Sequence, residues 1–145
     1  MDSKRLGMIG EAEVIAEFVK NQIPIYLPFG DNERCDLIAE FNGKLNKIQI
    51  KTSEKTSNGT ITFELSSRRN NLTSSKKVRY SEEEIDYFAL YNLERDSIYL
   101  IKIQDAPKET ITFRFEETKN NQVKGIRMES DYLFEKVIMP ADPDG

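Results

Sequence analysis

The stretch from Cys35 to Thr52 reads CDLIAEFNGKLNKIQIKT, with a run of strand-forming residues on each side of Asn42 and Gly43. An Asn-Gly pair between two such runs is a strong signal for a hairpin with a two-residue turn. That turn sets the register of the strands, because it places Phe41 directly opposite Lys44. The sequence therefore predicts an antiparallel hairpin here, and a longer loop would shift its register.

Three polar side chains fall on one side of this predicted hairpin. Followed outward from the turn, the register puts Asp36 opposite Gln49, and alternation along the strand adds Lys51 to the same side. Leu37 and Ile48 then point to the other side, toward a core. We therefore expect a carboxylate, an amide and an ammonium group to lie close together.

A fourth polar residue, Glu11, belongs to a helix predicted over residues 3–21. Apolar residues follow it at three, four and seven positions, the last of them Phe18, which predicts that Glu11 lies on the stripe facing the core. A carboxylate there needs a partner, and a metal ion or Lys51 would serve. Gly7, one turn earlier on the same face, leaves room for a phosphate to approach the helix.

The composition limits the chemistry of these residues. The chain has 145 residues, 38% of them hydrophobic, which suits one domain over residues 1–145. Because it has no histidine and one cysteine, His-based triads, multi-thiolate zinc sites and an intrachain disulfide are excluded. The remaining ligands are carboxylate, amide and carbonyl oxygens, which suit hard cations such as Mg²⁺ or Ca²⁺.

These groups have the chemistry for hydrolysing a phosphodiester. That reaction needs an activated water, neutralisation of charge on the phosphoryl oxygens and help for the leaving oxygen. Asp36, the Gln49 amide oxygen and the Ile50 backbone carbonyl are candidate ligands of one divalent cation. Glu11 would complete this site or bridge to a second, and Lys51 would orient the water or stabilise the transition-state charge.

The sequence resembles the PD-(D/E)xK nuclease superfamily. The residues that carry the resemblance are Gly7 and Glu11 in the helix, Asp36 at the start of DLIAEF, and Gln49 with Lys51 in KIQIK. They span roughly the first third of the chain, and the spacing between Asp36 and Gln49 is typical of the family. Within the superfamily, the sequence is most similar to homing endonucleases encoded in cyanobacterial group I introns.

This resemblance implies a fold, an activity and an assembly. The fold would be α/β and restriction-endonuclease-like, with a central mixed sheet flanked by helices and added β-hairpins. The activity would be site-specific, Mg²⁺-dependent cleavage of double-stranded DNA, with Mn²⁺ or Ca²⁺ able to occupy the metal site. The assembly would be a symmetric homo-oligomer, a tetramer or a dimer. The catalytic residues would be Glu11, Asp36, Gln49 and Lys51.

One departure from the family pattern keeps other functions open. Gln49 stands where the family usually has a second acid, which removes a negative charge from the metal site. The alternatives are a nuclease that resolves four-way Holliday junctions, and a DNA-binding module that has kept the fold but lost cleavage. Because glutamine still offers a carbonyl oxygen, we expect an active enzyme.

The net charge of the chain is −4, so DNA contact must come from a local cluster of basic residues. Residues 66–80 form such a cluster, without acidic residues or apolar periodicity, which predicts a binding loop. A second, weaker candidate is a hairpin predicted from residues 110–115 and 123–128. The residues expected to contact DNA are Arg68, Arg69, Asn70, Asn71, Lys76, Lys77, Arg79, Arg114, Lys119, Lys124 and Arg127.

The remaining segments predict further strands and no membrane-spanning helix. TITFEL at residues 60–65 predicts a strand, and residues 85–92 and 97–103 predict a second hairpin. No segment approaches the ~20 apolar residues of a membrane-crossing helix, and the first residues lack the apolar stretch of a secretory signal. We therefore expect an intracellular, cytoplasmic protein that makes no membrane contact.

Overall fold

The first element of the fold is the predicted helix. The computed structural model describes residues 1–30, 33–70, 75–117 and 125–138. Within residues 68–70 and 75–77 it describes the backbone only. Helix α1, Ser3–Lys20, ends one residue earlier than predicted. Asp2 caps it, since its side chain accepts a hydrogen bond from the Arg5 N–H at 2.8 Å.

Strands dominate the rest of the described ranges. They are β1 (Ile25–Tyr26), β2 (Leu37–Phe41), β3 (Lys44–Ser53), β4 (Thr60–Glu64), β5 (Ser67–Asn70), β6 (Ser75–Val78), β7 (Tyr87–Asn92), β8 (Ser97–Lys102), β9 (Thr110–Arg114) and β10 (Arg127–Met128). Short 3₁₀ helices follow at Ile103–Asp105 and Glu129–Asp131, and helix α2 covers Phe134–Ile138. None of the helices in these ranges has the length and hydropathy needed to cross a membrane.

The central sheet has the strand order β1-β2-β3-β7-β8. The pairs β2–β3 and β7–β8 are antiparallel, and β3–β7 is parallel, so the sheet is mixed as the resemblance implied. The predicted second hairpin is confirmed as β7–β8. This arrangement puts β3, the strand that carries most of the candidate site, in the middle of the sheet.

The β2–β3 hairpin has the predicted register near its turn. Phe41 pairs with Lys44, and the pairing continues to Leu37. Asn42 and Gly43 have φ angles of +53° and +75°, the left-handed conformations that such a two-residue turn requires. The turn therefore sets the register, as predicted.

The predicted pairing of Asp36 with Gln49 is not part of this ladder. The Asp36 N–H donates instead to the Ile48 carbonyl at 2.8 Å, one residue out of step. The Asp36 carboxylate accepts a hydrogen bond from the Ile50 N–H, also at 2.8 Å. A side chain that bonds to backbone in this way competes with ladder pairing. Strand β2 therefore begins after Asp36, and the carboxylate is held against β3.

Each face of the central sheet carries a core. On one face, helix α1 contributes Val14 and Phe18, which pack with residues such as Leu37 and Ile48. Gly10 allows this approach, because a Cβ atom there would lie 1.9 Å from Thr52 Oγ1 on β3. The opposite face is covered by a second sheet of order β10-β9-β4.

The second sheet contradicts one prediction, the hairpin from residues 110–115 and 123–128. Strand β10 runs parallel to β9, with Arg127 opposite Phe113, and a parallel pair cannot be joined by a tight turn. The antiparallel partner of β9 is β4. Both of these strands begin TITF, so Ile61, Phe63, Ile111 and Phe113 share one buried side. This shared apolar face favours β4 over a local partner.

Residues 66–80 also differ from prediction, because they contain two strands. Strands β5 and β6 form an antiparallel pair, with Arg68 opposite Lys77 and Arg69 opposite Lys76. A polar ribbon has no apolar alternation to reveal it in the sequence. We call this pair of strands the basic ribbon.

Candidate active site

A cavity of about 550 Å³ lies between the first turns of α1 and the edge of β3. The four residues expected to act together all line it: Glu11, Asp36, Gln49 and Lys51. The cavity forms there because β2 starts only at Leu37. From Gln49 to Ser53, β3 pairs with β7 alone among the described strands. The other edge of this part of β3 therefore faces the helix.

A backbone hydrogen bond holds the Asp36 carboxylate in this cavity. Its Oδ2 atom accepts the Ile50 N–H, while Oδ1 accepts no hydrogen bond from any described residue. Burial raises the pKa of the Asp36 carboxyl above its ordinary value, and the nearby negative charge of Glu11 raises it further. The Ile50 hydrogen bond and the charge of Lys51 oppose that shift. A cation at Oδ1 would therefore offset an electrostatic cost that the fold imposes.

Glu11 reaches the site by a different route from the predicted one. The buried stripe of α1 is Gly10, Val14 and Phe18, spaced by four residues, and Glu11 lies beside it, exposed to solvent. The prediction that Glu11 faces the core is therefore wrong. The close approach of Gly10 to Thr52 turns the helix so that Glu11 borders the cavity.

Gln49 and Ile50 line the cavity and are the candidate sources of neutral oxygen ligands. Gln49 Nε2 donates to the Ile50 carbonyl at 3.4 Å, so the amide lies beside that backbone oxygen. In the described ranges, no cluster of three or more His, Cys, Asp or Glu side chains is placed to hold a metal. The candidate donors are instead two carboxylates, an amide oxygen and a carbonyl, all hard ligands that suit Mg²⁺. These donors fit a divalent cation with less negative charge than three acids would provide.

Sequence reasoning missed two residues beside the site, Tyr80 and Arg34. Lys51 Nζ lies 5.0 Å from the centroid of the Tyr80 ring, and Arg34 Cζ lies 4.0 Å from it. No local pattern links Tyr80 to Lys51, because the ring packs on Phe88 of β7, which only the parallel pairing with β3 brings alongside. Arg34 lies two positions before Asp36, and that proximity was the one available signal.

A family model of PD-(D/E)XK endonucleases matches residues 1–135, nearly the whole chain. The chain belongs to this family. The predicted resemblance is thus confirmed, and the match extends well beyond the first third of the sequence that carried it. PD-(D/E)XK endonucleases generally use divalent metal ions, which agrees with the oxygen donors around Asp36.

A solved structure, that of the bacterial homing endonuclease I-Ssp6803I, has the same fold as this PD-(D/E)XK chain. The two share 22% sequence identity and superpose with a TM-score of 0.72, over 92% of this chain and 89% of the other. The predicted restriction-endonuclease-like α/β fold is therefore confirmed. A search of the curated proteins finds no match.

The predicted DNA contacts of this PD-(D/E)XK chain are described only in part. Asn71, Lys119 and Lys124 lie outside the described residues, and only the backbone is described for Arg68, Arg69, Asn70, Lys76 and Lys77. Arg79 is exposed and forms an ion pair of 3.0 Å with Glu109. Arg114 and Arg127 are half-buried on the neighbouring strands β9 and β10. All eleven contacts stay predictions.

The two residues that follow the basic ribbon, Arg79 and Tyr80, are held beside the candidate active site. Arg34 donates from Nη2 to the Arg79 carbonyl at 3.1 Å, and its Nε lies 3.4 Å from the Glu84 carboxylate. The next residue, Tyr80, lies against Lys51. These contacts bring the C-terminal end of the basic segment 66–80 next to Lys51, which lines the cavity together with Asp36.

Proposed function

We propose that this chain is a site-specific endonuclease that hydrolyses double-stranded DNA with Mg²⁺ at the Asp36 cavity. The observation that carries the proposal is the meeting of Glu11, Asp36, Gln49 and Lys51 in one cavity at the edge of β3. Membership of the endonuclease family supports the reaction class. The fold shared with a bacterial homing endonuclease is compatible with it.

Each of these groups has a role that suits its surroundings. Asp36, the Gln49 amide oxygen and the Ile50 carbonyl would hold the cation, and Glu11 would approach it from the helix. When bound, a divalent cation neutralises charge on the phosphate and lowers the pKa of a coordinated water. Lys51 forms no salt bridge within 4.0 Å in the described residues, so its ammonium is available to stabilise charge on the scissile phosphate.

DNA would be bound by the basic ribbon, because the residues that follow it, Arg79 and Tyr80, lie next to the cavity. A two-stranded ribbon fits the major groove, where arginine and asparagine side chains can read base edges. A subunit of this size covers only part of a long site, so we include in the proposal a symmetric homo-oligomer, a tetramer or a dimer. The mass of the particle in solution, measured by light scattering, tests the assembly. With DNA as its substrate, the protein would work inside the cell.

The decisive experiment compares two lysines on the same side of β3. A plasmid library with random inserts is incubated with Mg²⁺ and wild-type protein, Lys51→Met or Lys47→Met. We expect Lys51→Met to cut at least ~10²-fold more slowly while binding DNA normally in Ca²⁺. Lys47→Met is the matched control, because its Nζ donates to the Glu83 carbonyl at 2.6 Å, away from the cavity. Equal cutting by wild type and Lys51→Met would reject the assignment.

A second candidate is a DNA-binding module that has lost cleavage. The observation favouring it is Gln49, which leaves two carboxylates around the cavity rather than three. Titration calorimetry with Mn²⁺ separates the two candidates, since a decayed site would release no heat that depends on Asp36. Competition between four-way junctions and linear duplex tests the junction-resolving alternative in the same preparation.

A further inference from the structure

The Tyr80 ring packs against the central sheet. It packs edge-on against Phe88, with ring centroids 5.6 Å apart and planes at 88°. Phe88 is fully buried in β7 and pairs with Gln49 of β3 in the parallel ladder. The ring therefore has a defined position relative to the strand that carries Lys51.

Two cations lie over this ring, and they are held very differently. Arg34 has three anchors: the ring, the Arg79 carbonyl and the Glu84 carboxylate. The Lys51 ammonium, among the described residues, lies 5.0 Å from the ring centroid, forms no salt bridge within 4.0 Å and is attracted to the Asp36 carboxylate over a longer distance. A lysine side chain has a flexible four-carbon stem, so without a partner its ammonium would sample many positions. The face of an aromatic ring attracts such a cation.

We propose that Tyr80 is a positioning residue, whose ring face holds the Lys51 ammonium in the place where it meets the scissile phosphate. The inference rests on the proposed function, because it gives Tyr80 a part in that same cleavage reaction. Tyr80 does not touch the reacting atoms; it acts through Lys51. The interaction depends on the electron-rich face of the ring rather than on the hydroxyl group.

A shape-preserving substitution tests this inference. Tyr80 is replaced by phenylalanine or by pentafluorophenylalanine. The fluorinated ring packs similarly, but its quadrupole is reversed, so its face no longer attracts a cation. We expect Tyr80→Phe to cleave within about twofold of wild type and the fluorinated variant to cleave roughly tenfold more slowly in single turnover, since misplaced catalytic groups cost rate. The DNA dissociation constant in Ca²⁺ should be the same for both. Equal cleavage rates for the two variants would overturn the positioning role.

A matched control separates positioning from loss of packing. Tyr132 contacts Phe113 in the same core, with ring centroids 5.0 Å apart, and is remote from Lys51 in the contacts described. Tyr132→Leu should lower the urea midpoint for unfolding while leaving the single-turnover rate near wild type. A rate loss equal to that of the fluorinated variant would attribute both effects to packing and reject the inference.

A double-mutant cycle measures the contact without using activity. Urea unfolding is followed for Lys51→Met, Tyr80→Leu and the double variant, and we expect a coupling of roughly two- to fivefold in the unfolding constant. If wild type cuts no DNA, the proposed function fails whatever the coupling. If wild type cuts and the coupling is absent, only the role of Tyr80 is overturned.

Discussion

The carboxylate of Asp36 and the backbone N–H of Ile50 are joined by a hydrogen bond of 2.8 Å. This bond ends the β2–β3 ladder and fixes the carboxylate at the free edge of β3. The same position buries Asp36 near Glu11, and both effects raise its pKa. The ionised form of Asp36 therefore costs folding free energy, which a bound cation would offset.

Asp36→Asn should stabilise the metal-free protein at neutral pH. The folded-state pKa of Asp36 is raised above the ordinary value of 3.8, so the native carboxyl holds its proton more tightly than the unfolded one. The resulting cost is absent well below pH 3.8 and develops as pH rises through the folded-state pKa. Urea unfolding at several pH values should thus show Asp36→Asn to be the more stable protein at pH 7, with the difference shrinking on acidification.

The same pair of proteins tests metal binding. Millimolar Ca²⁺ or Mg²⁺ should raise the melting temperature of wild type but not of Asp36→Asn, because the cation binds the ionised carboxylate of the folded state. An equal rise in both proteins would mean that Asp36 is not a ligand.

Gly7 and Gly10 should respond oppositely to alanine. A Cβ atom at Gly10 would clash with Thr52 and push α1 off the sheet, so we expect a loss on the order of 1–3 kcal/mol. A Cβ atom at Gly7 meets nothing within 4 Å, and better helix propensity should stabilise the fold by up to about 1 kcal/mol. Because Gly7 lines the cavity, Gly7→Ala should nevertheless slow cleavage. Wild-type cleavage by a stabilised Gly7→Ala would argue against phosphate approach at this point.

Gln49→Glu should bind divalent cations more tightly. A third carboxylate at the cavity adds negative charge to the ligand set, and we expect an affinity gain on the order of tenfold by titration calorimetry. It should also raise the pKa of Asp36 further, since like charges oppose ionisation. Gln104→Glu, exposed in the 3₁₀ helix Ile103–Asp105, controls for net charge. Equal affinities in the two variants would remove Gln49 from the ligand set.

Arg68→Ala and Arg69→Ala should weaken DNA binding and flatten its salt dependence. Each lost phosphate contact lowers the slope of log K against log salt by about 0.9. Lys136→Ala is a suitable control, because Lys136 lies in α2 and forms an exposed ion pair with Asp131. If all three variants keep the wild-type slope, the binding surface lies elsewhere than the basic ribbon.

Several elements of this fold could be predicted from the sequence because local interactions determine them. Asn42 and Gly43 set the β2–β3 register because their backbone conformations allow one kind of turn. Helix α1 begins at the predicted residue, Ser3, because the Asp2 side chain caps it through a local hydrogen bond to the N–H of Arg5. The turn brought Asp36, Gln49 and Lys51 to one cavity, although Asp36 is held there by its hydrogen bond to Ile50 and does not pair with Gln49.

The sequence by itself determined the helix, the first hairpin and the set of groups available for chemistry. Tertiary structure decided how those groups are held. The parallel pairing of β3 with β7 brought Tyr80 beside Lys51, and the approach of Gly10 to Thr52 turned Glu11 outward. Such contacts join residues distant in the chain, and their energy depends on packing that no local pattern records.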